Sequence, residues 1–417
     1  MSADNRGMRS LLAALLLPSV LPAADWPQFA GPQRNFMVDA KNLADSWPAT
    51  GPARLWARPL GEGYSEIAAD GERLYTMYRR GNDEVVIALD ARTGKTIWEH
   101  ANGAAFRPGM GMENGSGPHA TPLIMGGQLF TVGILACLEA FDKNTGQVLW
   151  TKDLYKDFPG STHMDRGYSG SPLAYNGTII MQIGGPGHAL IALNPKDGSL
   201  VWARQDFKNA PSSPTIINVS GQDQLVAFMS DQVIGVDPNN GALLWTHPHQ
   251  TSWGLNIALP VWGSDNLLFA SSAYNGGSRV LQLTRNGAKT VVKELWANNQ
   301  MRVHHSSVVR VGDYVYGSNG DFGPAPMTAV EVKTGKIVWR DRSFPKANFV
   351  YADRKFIIVD EDGNLALATI GPEGVKVLSK THLLESNAWT APTLAGTKLY
   401  VRDRHTIIAL DLAAKKN

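Results

Sequence analysis

The chain has 417 residues, and its 39 basic and 37 acidic side chains leave a formal net charge of +2, so no sequence-wide electrostatic attraction to nucleic acid is expected. Hydrophobic residues make up 43% and charged residues 18%, a globular balance that excludes a disordered chain. The one cysteine, Cys137, excludes an intramolecular disulfide, and no Cys/His spacing suits a metal. It reads as a small buried hydrophobe.

At the N-terminus, Arg6 and Arg9 precede the apolar run Leu11 to Val20, and the small residues Ala23 and Ala24 come just before Asp25. This is the layout of a secretory signal. Its apolar run is about half of the roughly 20 residues a membrane-spanning helix needs, which favours removal over an uncleaved anchor. The expected organisation is a signal peptide over 1–24, an N-terminal extension over 25–51 and the folded body over 52–415. The mature protein is expected to be periplasmic or secreted, with no transmembrane segment after signal removal. No cysteine lies near the cleavage region, so lipid attachment is not expected there.

The body is a series of repeats. Ala53 to Arg58 (ARLWAR) carries Trp56 with no repeat phrase ahead of it. The phrase then appears as ALDARTGKTIW, with Asp90, Gly94 and Trp98, and as AFDKNTGQVLW, with Asp142, Gly146 and Trp150. ALNPKDGSLVW follows with Gly198 and Trp202, then GVDPNNGALLW with Asp237, Gly241 and Trp245. A weaker copy ends at Trp296, AVEVKTGKIVW contains Gly335 and Trp339, and a second weak copy runs from Ala366 to Leu378.

Each phrase reads as a hairpin. The Asp side chain bonds the backbone two residues on, the Gly takes the positive φ of the turn, and a β-branched stretch leads to a Trp suited to burial between sheets. Successive tryptophans lie about 40–50 residues apart, the length of a four-stranded propeller blade. No stretch reads as a long amphipathic helix. The last copy, at Ala409-Leu410-Asp411, has no Trp strand after it, and the ARLWAR segment can supply one. The expected fold is therefore an all-β, eight-bladed propeller of four-stranded antiparallel blades, closed by the N-terminal strand. Seven blades is the alternative, because two copies are degenerate.

The phrase resembles the repeat of the PQQ-like β-propeller family, found in quinoprotein dehydrogenases and in BamB-type proteins. The opening DWPQFAGPQRN, from Asp25, is similar to the start of exported members without an assigned activity. Quinoprotein alcohol dehydrogenases use a vicinal cysteine pair against their cofactor, which a chain with Cys137 alone cannot supply. BamB is a lipoprotein, and this chain has no matching cysteine. The resemblance thus implies the fold and leaves the chemistry open.

In a propeller, connections from an outer strand to the next inner strand crowd one pole. Two of them are long, His100 to Gly117 and Thr151 to Gly167, and long loops on a rigid scaffold concentrate binding residues. The binding candidates are Arg107, Glu113, Asn114, His163, Asp165, Arg166 and Tyr168 on or beside these loops, with His119, His304, His305 and Trp389 at inner-strand starts. No catalytic set and no metal site is assigned. Small polar residues at other inner-strand starts, such as Ser171, Ser213 and Ser306, are expected to bond a ligand or water. Asp321-Phe322-Gly323, Asp360 to Gly363 and Gly184 to Gly187 read as turns.

The expected function is a non-catalytic binding or scaffolding propeller of the cell envelope. Its partner would be an envelope protein, or a small-molecule or glycan ligand, at the loop-rich pole. No cofactor is expected. The alternatives are a PQQ-dependent quinoprotein dehydrogenase using calcium and a polysaccharide-acting enzyme.

Overall fold

The computed structural model describes residues 25–106, 110–111, 115–385 and 387–414. Its strands form eight separate four-stranded antiparallel sheets, the blades of a propeller. The two degenerate repeats both build complete blades, at Val261–Trp262 to Lys289–Asn298 and at Asn348–Ala352 to Gly374–His382, so the ring has eight blades and not seven. The eighth blade takes three strands from the C-terminal end and its outer strand, Ala53–Pro59, from the N-terminal end. Trp56 pairs with Ala409 and Ala57 with Ile408, which closes the ring.

The repeat phrase folds as its residues require. Asp90 accepts hydrogen bonds from the Arg92 and Thr93 amides at 3.0 and 2.8 Å, and Asp142 repeats this with Asn144 and Thr145. Gly94, Gly146, Gly198, Gly241 and Gly335 all have φ near +70°. A second constraint acts on the same glycines. A Cβ on Gly146 would lie 2.6 Å from the Trp98 ring, and Gly94, Gly198, Gly241 and Gly335 stand in the same relation to Trp56, Trp150, Trp202 and Trp296.

Each of these tryptophans therefore lies flat on the turn of the following blade. Four of the five also donate Nε1 to a carbonyl there, Trp56 to Ala91, Trp98 to Lys143, Trp150 to Pro195 and Trp296 to Val332, and Trp339 donates likewise to Gly371 of the next blade. Burying a large ring contributes about 2–3 kcal/mol, and the bond about 1 more. Because the fifth blade lacks the Asp and Gly of the phrase, Trp245 turns into its own blade. There its Nε1 donates to Gln224 at 2.8 Å, over Gly235.

Nearer the axis the blades are joined by a polar belt. Thr121 accepts from the Glu66 amide, Ser171 from the Thr121 amide and Ser213 from the Ser171 amide, at 2.9–3.2 Å. Asn348 accepts from the Ser307 amide across the sixth and seventh blades. The small polar residues at the inner-strand starts are thus buried and largely spent on holding neighbouring blades. Between the last and first blades, the buried Arg402 donates to the carbonyls of Gly61, Ser65 and Met77 and to the Thr76 hydroxyl.

The extension enters the channel. Trp26 is fully buried and exchanges two backbone bonds with Ala69 in the first blade. Pro27 accepts from Ile124 in the second blade, and Arg34 donates to the Pro172 carbonyl in the third. Phe36 packs in a cluster with Leu259, Val309, Phe349 and Ala391, at the inner strands of the fifth to eighth blades. The segment leaves beside Tyr351 and Asp353 and reaches the outer strand of the seventh blade, where Trp47 bonds Ser379. Residues 26–37 therefore plug the axis from the pole opposite the outer-to-inner loops.

Candidate functional site

The loop-rich pole has a lopsided rim. One backbone position, two residues before the polar belt, recurs in seven of the blades and brings its side chain to the channel mouth. In the sixth, seventh, eighth, first and second blades that residue is His305, Lys346, Trp389, Tyr64 and His119. In the third and fourth it is Ser169 and Pro211.

The five larger side chains pack into a crescent. Tyr64 stacks between His119 and Trp389, at 5.9 and 5.4 Å between ring centroids, and His305 lies 4.7 Å from Trp389 on its other side. The Lys346 ammonium sits 5.3 Å over the Trp389 ring and 3.9 Å from Glu361, which also accepts from Trp389 Nε1. His304 extends the crescent: it is 4.6 Å from His305 and bonds the Tyr274 hydroxyl through Nε2.

Burial disfavours the charged forms of the crescent's histidines and of Tyr64. It pushes His304 down to about 4, with the nearby Lys346 charge adding to the effect, and lowers His305 and His119 as well. It raises the Tyr64 hydroxyl to about 12. The crescent is thus built from rings whose neutral forms are favoured, packed beside the Lys346 side chain.

The sequence candidates divide into four groups. His119, His304, His305 and Trp389 are brought together in the crescent. His163, Asp165 and Arg166 are exposed on the second long loop, where His163 stacks on Tyr155 at 4.0 Å and the Arg166 carbonyl meets His119 Nε2 at 3.1 Å. The Asp165 carbonyl accepts from Gly111, so the two long loops touch. Tyr168 is buried, with its hydroxyl donating to the Gln182 carbonyl, and serves the core. Arg107, Glu113 and Asn114 lie outside the described residues, as does the whole of the proposed signal, 1–24.

Sequence reasoning placed Tyr64 at an inner-strand start but missed Lys346, Tyr274, Asp321, Phe322 and Glu361 as pole residues. Lys346 shares a register position with Tyr64, His119 and Trp389, which an alignment of the inner-strand starts would have shown. The others lie in second-to-third strand connections. In an antiparallel blade these emerge at the same pole as the outer-to-inner loops, and Asp321-Phe322-Gly323 is such a connection as well as a bend.

With this geometry established, comparison with known proteins is informative. A family model described as outer membrane protein assembly factor BamB matches residues 82–341, more than half of the chain. The chain belongs to that family. BamB of Yersinia pestis is 25% identical over 297 residues, covering 68% of this chain and 72% of that protein. The quinoprotein alcohol dehydrogenase PedH of Pseudomonas putida is 32% identical, but over 175 residues that cover 40% of this chain and 27% of PedH. The crystal structure of BamB from Moraxella catarrhalis superposes with a TM-score of 0.60 over 86% of this chain and 100% of that one, at 14% identity, and so shares the fold.

The described residues of this BamB-family propeller offer no site suited to PQQ with calcium. Among the described residues no three His, Cys, Asp or Glu side chains converge on a cation position. Cys137 lies on the strand Cys137–Asp142 beside Asn102, away from the crescent, and burial raises its thiol to about 11. No helix among the described residues is long and apolar enough to cross a membrane.

Proposed function

We propose that this chain is an exported, non-catalytic binding propeller of the cell envelope that holds another envelope protein at its loop-rich pole. One observation carries the reading: the channel is filled from one end by residues 26–37 and capped at the other by mutually packed rings. What the pole offers a partner is a shaped surface framed by two touching long loops. Interfaces of this kind are anchored by aromatic and arginine side chains, both present here in Trp389, Tyr64 and Arg166. The kinship with assembly factors named BamB supports a scaffold role. The export half of the reading rests on the signal-like pattern of residues 1–24.

The test is affinity capture from an envelope extract with the purified chain, at normal and low salt, followed by identification of the recovered protein. One protein recovered repeatedly, and lost when exposed His163 and Arg166 are both changed to alanine, is the expected result. Repeated capture of nothing, or capture indifferent to the loop variant, overturns it. Fractionation of the producing cell tests export separately.

A further inference from the structure

We propose that a neutral saccharide binds an aromatic patch formed at the loop-rich pole by Trp253, Tyr274 and Phe322. The proposal rests on the reading of that pole as the binding face, and it goes beyond it in ligand and position. Trp253 is 65% exposed and Phe322 77% exposed. The other large exposed apolar residues among those described, such as Leu55, Ile97 and Leu200, lie on outer strands at the rim, so these two are the exposed rings of the loops. Tyr274 stands edge-on between them, 5.0 Å from Trp253 and 6.0 Å from Phe322.

The patch is built rigidly. Tyr274 and Asn275 are consecutive residues at φ +52° and +67°, a conformation that side chains of this size rarely adopt. Four bonds hold them there. The Tyr274 amide donates to Asp321, its carbonyl accepts from the Ser252 amide at 2.8 Å, its hydroxyl meets His304, and Asn275 donates to the Ser252 hydroxyl at 2.9 Å. On the other side, Gly254 at φ +67° lets the Trp253 loop close on Ser230, where a Cβ would come within 2.1 Å. Strain of this kind persists only where surroundings over-determine it, and it fixes the rings before any ligand arrives.

The surroundings choose the ligand. Trp253 follows Thr251 and Ser252 and precedes Gly254, while Phe322 is flanked by Gly320, Asp321, Gly323 and Pro324. The chain neighbours of both rings are thus mostly small or polar, unlike the continuous apolar surface of a protein interface core or a lipid-tail site. Isolated ring faces set among amide, hydroxyl and carboxylate groups match a molecule that alternates C–H faces with hydroxyls, as sugars do. Arg302 and Asp321 are paired at 3.7 Å beside Phe322, so the carboxylate next to that ring is already matched by a cation.

The probe is a panel of soluble neutral oligosaccharides, the cello-, xylo-, manno- and laminari- series, against the full chain. Binding is read by calorimetry and by protection of tryptophan fluorescence from acrylamide, to which Trp253 is open. At least one series is expected to bind, with affinity at least tenfold weaker in Trp253→Ala and in Phe322→Ala, partly restored in Trp253→Phe and unchanged in Leu200→Ala on the rim. Thermal melting checks that every variant is folded. No binding by any series, or equal binding by the variants, overturns the proposal. If the panel fails while the two alanine variants abolish capture of the envelope protein, the patch is a protein-docking site: the saccharide reading falls and the proposed function stands.

Discussion

The rim and the loop-rich pole of this propeller are built on opposite plans. At the rim, five tryptophans meet five glycines in the same way, blade after blade, and four of the five rings also donate to a carbonyl of that turn. At the pole, the equivalent position carries Tyr64, His119, Ser169, His305, Lys346 or Trp389 according to blade. The uniform part makes the ring and the varied part makes a surface. A substitution at the rim should therefore be read in stability, and one in the exposed loops of the pole in binding.

Gly146→Val is the strongest way to break that division from the rim side. It forces a branched side chain into a positive φ and against Trp98, two penalties that together cost about 4 kcal/mol. A fall of many degrees in melting temperature, or loss of soluble protein, is expected. Unchanged melting would show that the Trp–Gly contact is incidental.

Next in size is the response to pH, which separates the body from the pole. Burial raises Glu66 to about 8 and both Glu84 and Glu139 to about 7, against an ordinary value of 4.5. The folded state holds these protons more tightly than the unfolded one, so their contribution is complete below pH 4.5 and is withdrawn as pH climbs to 7–8. Stability should fall by about 3 kcal/mol between pH 6.5 and 8.5, by denaturant titration, and Glu84→Gln should flatten the curve. The crescent histidines His119, His304 and His305 are shifted the other way, so the fall belongs to the buried carboxylates.

A finer comparison lies within the rim itself. Trp150 donates to Pro195 at 2.9 Å, whereas the buried Nε1 of Trp202 has no partner. Trp150→Phe should cost about 1 kcal/mol more than Trp202→Phe in chemical unfolding, because only the first loses a hydrogen bond. The smallest effect is expected at the pole, where Phe322→Ala should shift stability by less than about 0.5 kcal/mol, since the ring is largely in water.

Repetition explains why so much of the body was legible in the sequence. Asp, Gly and Trp recur because each blade solves the same local problem, a tight turn that must also receive a neighbour's ring. Blade number, antiparallel order and closure by Trp56 follow from counting that phrase. Even the degenerate fifth and seventh repeats supply strands, because hairpin register and buried apolar alternation do not need the full motif.

The pole was legible only in part. His119, His304, His305 and Trp389 stood out as unusual residues at strand starts, but their packing into one crescent spans blades far apart in sequence. The plugging of the axis by residues 26–37 left no local signal, since Trp26 and Phe36 are placed by residues more than 40 positions away. Local propensity and repetition determine how each blade folds. Which side chains meet at the mouth, and which polar groups are already spent between blades, is decided by ring closure, because only the closed ring brings eight separate strand starts to one axis.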